Sequence, residues 1–257
     1  MKATVTVPAI DKMCLILDLL TTSPYPLTSA EIATQLELPK SSTHNILQSL
    51  LGKHLVFKDR DNRFQLGSYL LYWAGKYEQQ HNFIQVFHEQ ITHHPILLKH
   101  TVTLSKLDGN EVVFLACHES PAPLGFTFHA GVRVPAPFSA TGKAMLATFE
   151  DATLAQMFAS AMPKPMTSYS VNTLDKLYAE LAEVRRTGIS LDDGQLREGM
   201  YCIGTCILDS YDKPIAGMAI SFLKDEYLLH KDQVSQELLL LAENIKQNLG
   251  IKSTAGL

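Results

Sequence analysis

One stretch limits the folds open to this chain more than any other: Thr28 to Leu66. From Ser29 to Leu36 the apolar residues Ile32, Ala33 and Leu36 share one helical face. Leu38-Pro39 breaks that pattern. A second helical pattern runs from Lys40 to about Leu51, with Ile46, Leu47, Leu50 and Leu51 turned inward. Pro39 suits a first turn, where a missing N–H costs nothing. Two strand-like runs follow, Leu55–Lys58 and Arg63–Leu66, around the turn Asp59-Arg60-Asp61-Asn62. Helix, turn, helix and hairpin, in that order, predict a winged helix-turn-helix. That motif lays its second helix in the major groove of DNA.

The second helix carries the matching chemistry. Lys40, Ser41, Ser42, His44, Asn45 and Gln48 fall opposite the leucines. They are small or hydrogen-bonding groups near a helix N-terminus, suited to phosphates and base edges, and Asn or Gln pairs bidentately with adenine. The hairpin adds Lys58, Arg60 and Arg63. Pro39 to Arg63 holds five Lys/Arg against two acids, a local charge of +3 on a chain of net charge −4. A basic patch on an acidic protein is the footprint of a DNA reader. Residues 1–66 carry +1 and the remainder −5, which separates a head for DNA from a body for something else.

The rest of the chain reads as follows. A first helix spans about Pro8 to Leu20, with Ile10, Met13, Cys14, Leu17 and Leu20 at helical spacing. Ser68 to Thr92 is an aromatic-rich connecting helix with a break near His81-Asn82, its aromatics expected to be buried against a neighbour or a second subunit. From Thr101 the pattern turns to strands: Thr101–Leu107, Glu111–Cys117, Leu124–His129 and Val132–Pro135. Helices are predicted at Ala144–Thr148, opened by Thr141-Gly142-Lys143, at Thr153–Met162, and at Leu174–Thr187 with Gly188 as C-cap. Strands at Cys202–Leu208 and Ile215–Phe222 precede a final amphipathic helix, Lys231–Leu249. Strands and helices segregated in this way predict an α+β body.

No apolar run approaches the roughly 18 residues of a membrane span, and no secretory signal is visible, so a cytoplasmic protein with no membrane partner is expected. Cys14, Cys117, Cys202 and Cys206 show no C-x-x-C spacing and read as buried or reactive thiols. No metal site is expected: His81, His88, His93, His94 and His100 never fall three or four apart.

Four blocks together resemble the isocitrate-lyase-regulator (IclR) family of bacterial transcription regulators. They are Leu38–Leu50, Arg63–Gly67, Gly131–Ala147 and the run from Arg185 to Phe222. The resemblance implies a DNA-binding domain over 1–67, a linker helix over 68–92 and a GAF-like effector-binding and oligomerisation domain over 93–257. It implies a cytoplasmic homodimer or homotetramer that binds double-stranded operator DNA and represses or activates a catabolic operon. No cofactor is implied. Carried over by position, the effector pocket comprises Phe126, Ala140, Thr141, Gly142, Asp192, Met200, Cys202, Ala219 and Ser221. The α-helix N-terminus at Ala140–Gly142 would stabilise a small carboxylate. Members usually have arginine where this chain has Asn45, and often serine where it has Ala219.

Enzyme readings fit less well. Ser139–Lys143 superficially resembles a phosphate loop, but Pro137 and Ala144 stand where that motif needs glycine and Ser/Thr. No catalytic residue is therefore assigned. The alternative from another class is a GAF-fold thiol redox sensor or reductase using Cys117 or Cys202.

Overall fold

The computed structural model describes residues 7–121 and 128–251. The chain divides into two compact units, residues 1–80 and 81–257.

In the first unit, α1 (Pro8–Thr22), α2 (Ser29–Gln35) and α3 (Lys40–Gly52) pack with a small sheet. Its strands are β1 (Leu27–Thr28), β2 (Val56–Lys58) and β3 (Arg63–Leu66), in the order β1-β3-β2. Ile16, Leu20, Ile32, Leu47, Leu50, Val56 and Phe64 form its core. The start of α2 is fixed by a reciprocal cap. Thr28 Oγ1 accepts from the Glu31 N–H, while Glu31 Oε2 accepts from the Thr28 N–H at 2.7 Å. Between α2 and α3 the chain turns through Glu37 at φ 53°, a left-handed conformation that a side chain resists. Gly67 is required for a different reason: a Cβ there would lie 2.2 Å from the His54 carbonyl oxygen. The unit ends with α4 (Tyr69–Gln80).

The second unit opens with α5 (Asn82–Ile91), so the connecting helix is broken at His81, where the sequence places a break. The expectation that its aromatics are buried holds for α5, whose Ile84, Phe87 and Ile91 enter the core of this unit. In α4 no residue is buried; Leu71, Tyr72 and Trp73 are exposed, and Tyr69 stacks on Tyr72 and meets Trp73 edge-on.

Six antiparallel strands make the sheet of this unit, in the order β6-β5-β4-β9-β8-β7. They are β4 (Thr101–Asp108), β5 (Glu111–His118), β6 (Arg133–Pro135), β7 (Ser190–Asp193), β8 (Met200–Leu208) and β9 (Pro214–Leu223). One face carries Val102, Leu104, Ile203, Met218 and Ile220 against α5 and the long α9 (Lys224–Asn248). The other side is covered by α6 (Ala140–Leu146), α7 (Asp151–Met157) and α8 (Leu174–Thr187) around Phe138, Met145, Leu177 and Leu181. This is the winged helix-turn-helix plus mixed α/β architecture that the sequence predicts.

Four local details differ from the sequence reading. The opening Thr141-Gly142-Lys143 is itself helical: α6 runs Ala140–Leu146, because the Ser139 hydroxyl accepts the Gly142 N–H at 2.9 Å and caps the helix. Strand β7 at Ser190–Asp193 was not anticipated, and α9 begins seven residues early, at Lys224. His129 is not in a strand, while 124–127 of that expected strand lie outside the described residues.

Glu37→Gly should raise the first unit's stability by up to about 1 kcal/mol through relief of the left-handed turn. Gly67→Ala should lower it by about 1–3 kcal/mol through main-chain overlap. Urea unfolding followed on residues of this unit separates the two; equal and small effects would contradict both assignments.

Candidate functional site

In the first unit, Lys40, Ser41, His44, Asn45 and Gln48 are exposed on one side of α3, while Thr43, Leu47 and Leu50 are buried on the other. Pro39, at the N-cap, offers no side-chain cap to α3. The first-turn N–H groups therefore lack the usual side-chain acceptor, which suits them to an anion. Ser42 is half-buried, and its hydroxyl meets the Lys12 ammonium of α1 at 3.5 Å. Lys12 escaped the sequence reading because only packing brings α1 to this helix end. At the hairpin, Arg60 is exposed in the turn, which Asp59 Oδ1 closes by accepting the N–H groups of Asp61 and Arg63. The Lys58 ammonium sits 5.7 Å from the Phe64 ring centre.

Arg63 is the exception. Its guanidinium donates to the Pro26 carbonyl and to Glu31 Oε2, both at 3.1 Å, so it fastens the hairpin to the cap of α2. Hydrogen bonds from Thr28, ahead of the Arg63 charge, hold the Glu31 carboxyl below its ordinary range. Arg63 thus ties the hairpin to α2 through Nη1 while its side chain stays partly exposed.

In the second unit, strand register does the assembling. Asp192 on β7 pairs with Cys202 on β8, and Cys202 pairs with Ser221 on β9. The neighbouring row holds Gly204, Ala219 and Thr103. Over these rows lies the start of α6. A Cβ on Gly204 would sit 2.7 Å from the Ala140 carbonyl carbon, and one on Gly217 would sit 2.9 Å from Thr141 Cβ. The absence of those side chains lets the helix settle onto the sheet.

The result is a narrow cleft of about 10 Å³ that brings together Ala140, Thr141, Asp192, Met200, Cys202, Ala219 and Ser221. Thr103, Phe114, Phe128, Ser139 and Leu196 complete the wall and were missed. Phe126 lies outside the described residues. Gly142 does not line the cavity. Its N–H is spent on the Ser139 cap, and a Cβ there would lie 2.2 Å from the Ala136 carbonyl oxygen.

Asp192 is 1% exposed, and its Oδ1 accepts the N–H groups of Gly194, Gln195 and Leu196 at 3.2, 2.7 and 3.3 Å. Among the described residues its Oδ2 has no partner, and neither has Thr141 Oγ1. Burial pushes the Asp192 carboxyl up to about 6, against the opposing pull of the Lys143 charge and those three N–H groups. Buried polar atoms without partners are uncommon, and each costs roughly 1–3 kcal/mol. A ligand able to pair with both would recover that energy.

The thiols do not suit redox chemistry. Burial, followed by the charge of Asp192, drives the Cys202 thiol far above its ordinary range, and Sγ lies 3.3 Å from Ser221 Oγ. Burial also raises Cys117 to about 11. Reactive cysteines have depressed values, so the thiol alternative fails on its own chemistry. Among the described residues no group of three His, Cys, Asp or Glu is placed to hold a metal, and no helix is long and apolar enough to cross a membrane.

Comparison with known proteins gives a consistent set of relatives. The model of the IclR helix-turn-helix domain matches residues 9–60, and that of the bacterial transcriptional regulator IclR C-terminal region matches 75–247. The probable transcriptional regulator SauR of Cupriavidus necator is 29% identical over 213 residues, 80% of this chain and 82% of its own. The crystal structure of the Agobacterium tumefaciens repressor BlcR is 39% identical, covers 96% of this chain and 99% of its own, and superposes with a TM-score of 0.64. An IclR homologue from Microbacterium hydrocarbonoxydans, solved with 4-hydroxybenzoate, shares the fold at TM-score 0.79 and 18% identity, over 94% of this chain and 99% of its own.

Asp192 gives this unit a pH signature. Its proton is held more tightly in the folded state than in the unfolded chain, so stability falls as pH rises from near 4 to about 6, then levels. Asp192→Asn keeps an acceptor for the three N–H groups and removes the titration. Its unfolding free energy, from thermal melting, should match the parent near pH 4 and exceed it at pH 7 by roughly 2–3 kcal/mol. A constant difference across that range would contradict the burial effect.

Proposed function

Because the chain belongs to the IclR family of bacterial transcriptional regulators, we propose that it is an operator-binding repressor of a catabolic operon whose grip on DNA is set by a small organic acid. Residues 1–67 hold the DNA, and the exposed side of α3 reads the bases. Lys40, Ser41, Ser42 and Lys12 position the helix on phosphate, Asn45 and Gln48 face the base edges, and Arg60 meets the backbone beside the hairpin. The link between the domains is α4, since α5 is part of the effector domain's core. The exposed Leu71, Tyr72 and Trp73 of α4 favour a homodimer or homotetramer.

One observation supports regulation most: a cleft with two buried polar atoms, Asp192 Oδ2 and Thr141 Oγ1, that find no partner among the described residues. Thr141 can donate to a ligand carboxylate, whereas Asp192 needs a donor. Two carboxylates side by side are tolerated only if they share a proton. The effector is therefore a small acid that also brings a hydroxyl or a retained proton. The 4-hydroxybenzoate of the Microbacterium homologue belongs to that class. As it stands the cleft, about 10 Å³, is water-sized, so binding such a molecule requires it to widen.

Asn45→Ala should weaken binding to a specific operator by about 1–3 kcal/mol and leave binding to unrelated duplex nearly unchanged. Mobility-shift titration on both DNAs checks this, and equal losses would refute it. A thermal-shift panel of small hydroxy, keto, sugar and aromatic acids should contain a compound that stabilises the intact chain. At about one hundred times its dissociation constant it would add about 2.7 kcal/mol. The stabilisation should vanish in Asp192→Ala. A ligand that binds that variant undiminished would place the effector site elsewhere.

A further inference from the structure

Lys143, the lysine of the Ser139–Lys143 run, takes no part in phosphate binding, yet its side chain is fully buried. Its ammonium meets Glu180 Oε2 of α8 at 2.5 Å. Both Glu180 oxygens accept from the side-chain amide of Gln195, at 3.0 and 3.2 Å. That amide nitrogen also donates to Asp193 Oδ1 at 3.3 Å, while Gln195 Oε1 accepts the Val171 N–H at 3.1 Å. The main-chain N–H of Gln195 then closes on Asp192 Oδ1 at 2.7 Å. An unbroken path of hydrogen bonds thus runs from Lys143 and α8 to the carboxylate in the cavity wall.

A second clasp ties the same two helices. Arg185 of α8 donates to the carbonyls of Ala147 and Phe149 and to Asp151 Oδ1, each at 2.9 Å, just past the end of α6. The first turn of α6 lines the cavity, its middle is held through Lys143, and its C-terminal end is held through Arg185.

We propose that Lys143, Glu180 and Gln195 are positioning residues of the effector pocket, setting the charge at Asp192 and the seat of α8 together. The inference rests on the reading of this cavity as the effector site. The groups facing Asp192 are Lys143 from α6, the Cys202 thiol from β8 and the N–H groups of its own loop; Glu180 stands behind Lys143, and Asp193 adjoins Asp192 on β7. Removing the Lys143 charge removes the attraction that opposes burial, so Asp192 holds its proton more tightly. Coupling of this kind is reciprocal: whatever α8 does to the proton affinity of Asp192, the charge of Asp192 does to the ties of α8. A ligand that pairs with Oδ2 draws charge from Oδ1 and loosens the Gln195 N–H.

The test is a carboxyl-carbon NMR titration of Asp192 in the full chain, the signal being assigned by its loss in Asp192→Asn. In Lys143→Met the midpoint should rise by about one pH unit or more, a tenfold gain in proton affinity. In Lys143→Met/Glu180→Gln it should rise by less, and the difference measures the share of Glu180. A merely structural role for the lysine would leave the midpoint where it is, so an unchanged value in both variants overturns the proposal. Should Lys143→Met not fold, the double variant, which leaves no carboxylate at position 180, decides alone: a rise supports the coupling, and an unchanged midpoint refutes it. No ligand enters the measurement, so its failure leaves the effector reading standing.

Discussion

α6 rests on the sheet with main chain against main chain, because Gly204 and Gly217 offer no side chain beneath Ala140 and Thr141. Gly142 does the same on the far side, against the main chain of Ala136. Protein interiors are packed too tightly for these contacts to yield by a methyl group without strain. The cavity exists because of this contact. The helix start forms one wall, and the cross-strand row Asp192, Cys202, Ser221 forms the other. Ser190 Oγ reinforces the contact by donating to the Ala140 carbonyl at 2.6 Å.

Much of this was legible in the sequence, and the limits have physical causes. The first unit announced itself because its signals are local: a break at Pro39, leucines at helical spacing and a polar turn at Asp59–Asn62. α8 was legible to the residue because Thr173 caps one end and Gly188, at φ 73°, closes the other. The opening of α6 was legible, but the need for glycine at 142 was not, since only the approach of Ala136 explains it. β7 is a short strand whose Asp192 is buried for the cavity, so it lacks an apolar signature.

For the pocket, a positional resemblance named most of the wall, but not Thr103, Phe114 or Leu196, which strand pairing and loop packing bring in from distant segments. The tie from Arg63 to a carboxylate was not foreseen, because charge on a hairpin looks the same whatever it faces. The partner, Glu31, lies 32 residues away in the chain. The Ser139–Lys143 run was rightly set aside as a phosphate loop, but its meaning is structural: Ser139 caps, Gly142 fits and Lys143 pairs.

In the proposed function, regulation comes down to differential affinity. A ligand changes DNA binding only by as much as it prefers one arrangement of the chain over another. The buried, half-satisfied carboxylate of Asp192 supplies such a preference, since pairing it is worth energy only where the cavity is formed. The most direct measurement is a fluorescence-anisotropy titration of the intact protein on its own operator, with and without a saturating small acid that binds the cavity. Control by the pocket predicts operator affinities that differ by about 5- to 150-fold. Superimposable isotherms would contradict it.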